Sequence, residues 1–131
     1  MMAGVSRTWI SSTLATEFVS LAAAKATLGV LTSERVPDHL RRVGGRFLDG
    51  LATLRRRHPD LVSGVGGVAE MCFLQFVDEA ASRAVAAACA QGGLLFKRSA
   101  YNFVSLAHTD RVVDRSMDIL AEALSGAAKP A

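Results

Sequence analysis

An α+β fold is predicted from three features: two long segments with apolar residues at helical spacing, a central run of strand formers, and glycines that punctuate them. Read in order, the elements run α, α, β, α, β, β, α, which implies a small mixed or antiparallel sheet with helices packed against it. The chain has 131 residues and is half apolar, with 21% charged residues and a mean hydropathy of +0.28. That balance excludes a disordered chain, which needs low hydrophobicity and high net charge. One domain over residues 1–131 is expected, with a loose start over 1–12, the folded body over 13–124 and a tail over 125–131. A globule of this size buries roughly two thirds of its unfolded surface, enough for one core.

The first helix is expected from Thr13 to about Leu31, where alanine and leucine dominate and proline is absent. Ser12 or Thr13 would cap it, with Glu17 placed early, where a negative charge suits the helix dipole. Pro37 suits the first turn of a second helix. Val36, Leu40, Val43, Phe47, Leu51 and Leu54 then form one stripe, with Arg41, Arg42, Arg46, Arg55, Arg56 and Arg57 mostly off it. Gly44-Gly45 costs this helix about 1 kcal/mol per glycine relative to alanine, so a packing reason is expected. His58-Pro59-Asp60 ends it.

Gly64, Gly66 and Gly67 read as turn residues, followed by a strand from Val68 to Val77. Asp78 caps a third helix, Glu79 to Ala90, which Gly92-Gly93 closes. Leu94 to Lys97 and Phe103 to Leu106 read as short strands. Thr109 caps the last helix, with Asp110 in its first turn and a buried stripe of Val113, Met117, Leu120 and Leu124.

Charge and residue chemistry narrow the function classes. The net charge is +3, from 15 basic and 12 acidic residues, too small an excess to point to nucleic acid. The arginine face of the second helix lacks interleaved aromatics and reads as a solvated face. Cys72 and Cys89 are the only cysteines and make neither a disulfide framework nor a metal knuckle. A reducing, cytoplasmic setting fits them. Arg7 and the apolar run after it superficially copy a signal peptide, but Glu17 and Lys25 interrupt that run, so neither export nor a membrane span is expected. His39, His58 and His108 have no carboxylate or cysteine at ligand spacing, so no metal site is expected. His108, between a strand and a helix, is the most suggestive of the three, although capping is the commoner role for such a residue. Of Lys25, Lys97 and Lys129, Lys97 is the least unsuited to an imine-forming role, which demands desolvation beside a cofactor. Ser11-Ser12-Thr13 before a helix start is suited to a phosphate as well as to an ordinary cap. On these residues alone, the chain carries no self-sufficient catalytic constellation.

Four segments taken in order carry a resemblance: WISSTLATEFVSLAAAKATLGVL, ERVPDHLRRVGGRFLDGL, GVGGVAEMCFLQFVDE and GGLLFKRSAYNFVSLAHTD. Together, over roughly Thr8 to Leu124, they resemble the C-terminal portion of class III aminotransferases. These are fold-type-I pyridoxal-phosphate enzymes, and the likeness is nearest to the glutamate-1-semialdehyde aminomutase-like branch. The resemblance implies the C-terminal small domain of that fold plus its leading helix. It implies that Ser12 and Thr13 bind the phosphate of pyridoxal 5'-phosphate, reaching across a homodimer. Tyr101, Asn102, Ser105 and His108 would lie near the substrate, a small amino or keto compound.

In that family the cofactor lysine, the aspartate facing the pyridine nitrogen and the stacking aromatic all precede the Ser/Thr element. The resemblance therefore implies that this chain lacks all three, has no catalytic residue of its own, and binds the cofactor weakly or not at all alone. It would be a fragment or split product, working as a homodimer or beside a complementing N-terminal aminotransferase chain. The alternative is a non-catalytic interaction module derived from the same fold.

Overall fold

Residues 17–128 are described by the structure, a computed structural model, and they form four helices and a three-stranded antiparallel sheet. This is the α+β class expected from the sequence. The chain divides between Val36 and Pro37 into two compact units.

In the first unit lies α1, Phe18–Ser33. Its cap is Glu17, whose carboxylate accepts the amides of Val19 (2.9 Å) and Ser20. The expected start at Ser12 or Thr13 is thus corrected. A longer acidic side chain reaches forward over the first turn and satisfies two of the amides that a helix start leaves without partners. Hydrogen bonds from Ser20, then from the Val19 amide, hold the Glu17 carboxyl below the usual carboxylate range. Ser12 and Thr13 themselves lie outside the described residues. No residue of α1 is buried, and Phe18, Val19 and Leu28 are largely exposed.

The second unit is built on α2, Val36–Arg57, from its second residue onward. Of its expected stripe, Val36, Val43, Phe47, Leu51 and Leu54 are buried and Leu40 is half-buried. A hairpin follows, β1 (Val62–Val68) and β2 (Met71–Phe76), turning through Ala69 and Glu70 with Val68 opposite Met71. The strand expected from Val68 to Val77 is found as β2, and the three glycines expected as a turn belong to a further strand, β1. The reason lies in the ladder, since Gly66 faces Phe73 and a Cβ there would sit 2.5 Å from the Phe73 ring. Glycine in this strand leaves room for an aromatic laid across it.

Asp78 caps α3, Glu79–Gln91, by accepting the Ala81 amide, and Gly92 ends it. Beyond it, β3 is only Asn102–Phe103, paired antiparallel to β2 in the order β1-β2-β3. The strand expected over Leu94 to Lys97 is absent, and the one expected over Phe103 to Leu106 shrinks to its first residue plus Asn102. Only Phe96 of those apolar residues is buried, and the backbone there bonds to the Asn102 side chain and the end of α3 instead of to a strand. Thr109 caps α4, Asp110–Ala127, as expected. Val113, Leu120 and Leu124 are buried and Met117 is half-buried. Ile119 and Ala123 join them.

One core cluster unites Val43, Leu51, Cys72, Val85, Leu120 and Leu124 with their neighbours, drawing on the sheet and on three helices. Two glycines of α2 set how close those elements come. Gly44 lies against the Ala69 backbone, where a Cβ would sit 2.5 Å from the carbonyl carbon, and Gly50 lies under Met117. Gly45, by contrast, faces open space. The packing reason expected for this pair therefore belongs to Gly44 alone. Gly44→Ala is expected to lower stability by about 1–3 kcal/mol despite its better helix propensity, because backbone cannot yield as a side chain tip would. Gly45→Ala is expected to raise it by about 0.5–1 kcal/mol. Urea midpoints of the two variants test the contrast.

Candidate functional site

The candidate site grows from the segment between α3 and α4. The Leu94 amide donates to the Cys89 carbonyl at 2.8 Å, folding the chain back across the end of α3. Phe96 is buried in the core and anchors the segment. Asn102 then clamps it: its Oδ1 accepts the Lys97 amide (2.8 Å) and its Nδ2 donates to the Lys97 carbonyl (3.1 Å). A side-chain amide that satisfies one residue's donor and acceptor closes this loop as a strand partner would. The Val104 amide donates to the Glu70 carbonyl, extending the attachment to the hairpin turn.

The chain next turns through His108. The Ser105 amide donates to His108 Nδ1 at 3.0 Å, and Ser105 Oγ stands 2.8 Å from the same nitrogen. An amide only donates, so Nδ1 carries the lone pair and the neutral ring holds its proton on Nε2. His39 Nε2 donates to the His108 carbonyl at 2.9 Å, tying the turn to α2. A serine hydroxyl on a histidine nitrogen is half of a nucleophilic pair. Here the same nitrogen is occupied by the backbone, and no carboxylate among the described residues orients Nε2. The pair acts as a turn clamp.

These segments enclose a cavity of about 310 Å³ between the loop, Phe47 of α2 and Val113 and Ser116 of α4. Tyr101, Asn102 and His108 all line it. Ser105 does not, and reaches it only through His108. Tyr101 packs edge-on against Phe73, with centroids 5.0 Å apart, and tilts toward Phe103 at 6.4 Å. Lys97 Nζ lies 5.8 Å from the centre of the Phe103 ring, a cation over an aromatic face. Phe47, Phe96 and Ser116 were not singled out as site residues in the sequence. Phe47 carries a signal only as core, because its place at the cavity depends on what lands above α2.

The described residues do not fit the cofactor that the resemblance implies. Lys97 is exposed, Lys25 is exposed on α1, and no Asp or Glu lines the cavity to face a ring nitrogen. No step is therefore derived through it. Among the described residues no group of three His, Cys, Asp or Glu is placed to hold a metal ion, and no helix is long and apolar enough to cross a membrane. The arginine face of α2 is exposed, but three of its members are paired: Arg41 to Asp38 at 3.6 Å, and Arg42 to Asp110 and Arg46 to Asp114, each at 2.6 Å. No family model matches this chain.

Cys72 and Cys89 are free and fully buried, and burial pushes each thiol up to about 11. Neutral buried thiols are poor nucleophiles. Both are expected to resist iodoacetamide at pH 8 in the native protein and to react once it is unfolded. A raised folded-state value means the folded form holds the proton longer. Stability is therefore expected to fall as pH rises from about 9 toward about 11, in urea titrations at stepped pH. Asn102→Ala is expected to cost about 1–2 kcal/mol and to speed hydrogen exchange at the Lys97 amide more than elsewhere.

Proposed function

We propose that this chain supplies the C-terminal small domain of a class III aminotransferase or aminomutase-like enzyme, in which it supports amino-group transfer without supplying the reactive lysine. The observation that carries this reading is the convergence of Tyr101, Asn102 and His108, three of the four residues that the resemblance places near the substrate, on one cavity. The α+β architecture and the order of the four sequence segments support it. On this reading Ser12 and Thr13, which lie outside the described residues, would hold the phosphate of pyridoxal 5'-phosphate, as the resemblance implies. Tyr101 and His108 border the substrate, and Asn102 and Ser105 act through the loop and ring that they fix. The working assembly is a homodimer or a pair with a lysine-bearing N-terminal chain, in the cytoplasm.

The exposed apolar surface of α1 also suits a second reading, an interaction module of the same fold without chemistry. Two experiments test the first reading, and the second of them separates it from the other. Incubated with pyridoxal phosphate and reduced with borohydride, the chain alone is expected to give no stoichiometric adduct on Lys25, Lys97 or Lys129, and no turnover. Mixed with a lysine-bearing large-domain chain of a class III enzyme, it is expected to restore amino transfer. Thr13→Ala is expected to weaken that activity about tenfold through the cofactor requirement, since a hydrogen bond to a charged group is worth about 1.5–3 kcal/mol. Turnover or a stoichiometric imine from the chain alone overturns the proposal. Binding to the partner without restored activity favours the interaction module.

A further inference from the structure

A second cavity, about 710 Å³, lies beside the 310 Å³ cavity along α4, and Leu94, Leu95, His108 and Ser116 line both. The two differ in what they add. The first adds an apolar floor from Phe47, Phe96, Val104 and Val113, with Lys97 beside Phe103. The second adds Arg111 and Arg115, one helical turn apart on α4. No Asp or Glu lines either one.

The cations around these cavities differ in their pairing. Arg42, Arg46, Arg83 and Arg98 each have a carboxylate within 3.1 Å. Lys97, Arg111 and Arg115 have no carboxylate partner among the described residues. His108, which lines both cavities, adds one more donor through Nε2–H. A cleft with an apolar end, a basic end and no acid selects a ligand with the same two ends.

We infer that the joined cleft binds a small organic anion, with its apolar body against Phe47, Phe96 and Val113 and its carboxylate or phosphate facing Lys97, Arg111 and Arg115. A volume near 310 Å³ suits a single ring or a short branched chain, at the lower end of the usual range for ligand cavities. The inference rests on the lining of the cleft and needs neither a cofactor nor amino transfer. It therefore stands or falls separately from the function proposed above.

The test uses the full chain without cofactor and four probes: 3-phenylpropionate, phenyl phosphate, 3-phenylpropan-1-ol and 3-phenylpropylamine. Binding is followed by calorimetry and by amide and His108 ring shifts in NMR spectra. The two anions are expected to bind at least tenfold more tightly than the alcohol, with shifts at Leu95, His108 and Ser116, and the amine is expected not to bind. Which anion binds more tightly assigns the head group as carboxylate or phosphate. Arg111→Ala with Arg115→Ala, at two exposed positions, is expected to weaken the anions about five- to tenfold and leave the alcohol unchanged. Ser116→Phe, which narrows the junction, is expected to weaken all the probes that bind, and circular dichroism checks its fold. Equal affinity for acid, alcohol and amine overturns the inference. So do shifts confined to Phe18–Leu31, or the absence of any binding.

Discussion

The close approach of α2 to the hairpin is the constraint from which the rest of this structure follows. Gly44 lets the helix backbone lie directly on the Ala69 carbonyl, and Gly50 lets Met117 of α4 come down on the same helix. With both contacts made, the α2 stripe fills the space under β1 and β2, and α4 lies along its flank. The hairpin turn is then fixed, and so is the Glu70 carbonyl that receives the Val104 amide. The loop that carries Tyr101, Asn102 and His108 is thereby held over Phe47. The cavity is thus a consequence of helix packing rather than of any residue that lines it.

Electrostatics follow the same geometry. Arg42 and Arg46 face Asp110 and Asp114 because α2 and α4 run side by side, not because their sequence spacing couples them. Pairs this exposed contribute about 0–1 kcal/mol each, so they orient the helices more than they hold them. Their larger effect is on charge distribution. They cancel part of the arginine face of α2 and leave the basic residues of α4 that border the cleft, Arg111 and Arg115, without a carboxylate partner among the described residues. A sequence-wide excess of +3 therefore says little about where the positive field lies.

The functional reading and the anion cleft meet at His108 but rest on different physics. The first depends on order in the sequence and on three residues sharing a cavity. The second depends on a lining that combines apolar walls with uncompensated cations. His108 lines both cavities, with its Nδ1 taken by Ser105 and its carbonyl held by His39. At the other end of the chain, α1 presents apolar side chains with no buried residue, a surface that suits assembly.

Periodicity and capping chemistry were legible without a structure. The stripes of α2 and α4, the Asp78 and Thr109 caps and the Gly92 stop all follow from local spacing, because a helix repeats its environment every few residues. The hairpin was not legible. Gly64, Gly66 and Gly67 look like a turn until Phe73 is laid across Gly66, a contact set by register between strands. Leu94 to Lys97 carries strand-like residues, yet Asn102 takes both backbone groups of Lys97 and leaves a loop. Of the site, Tyr101, Asn102 and His108 were marked by the sequence, whereas Phe47, Phe96, Arg111 and Arg115 entered only when α2, the loop and α4 converged. The division has one cause. Local sequence determines which segments become helices and where they start, whereas cavities, ion pairs and strand partners depend on residues far apart in the chain that only the packed core brings together.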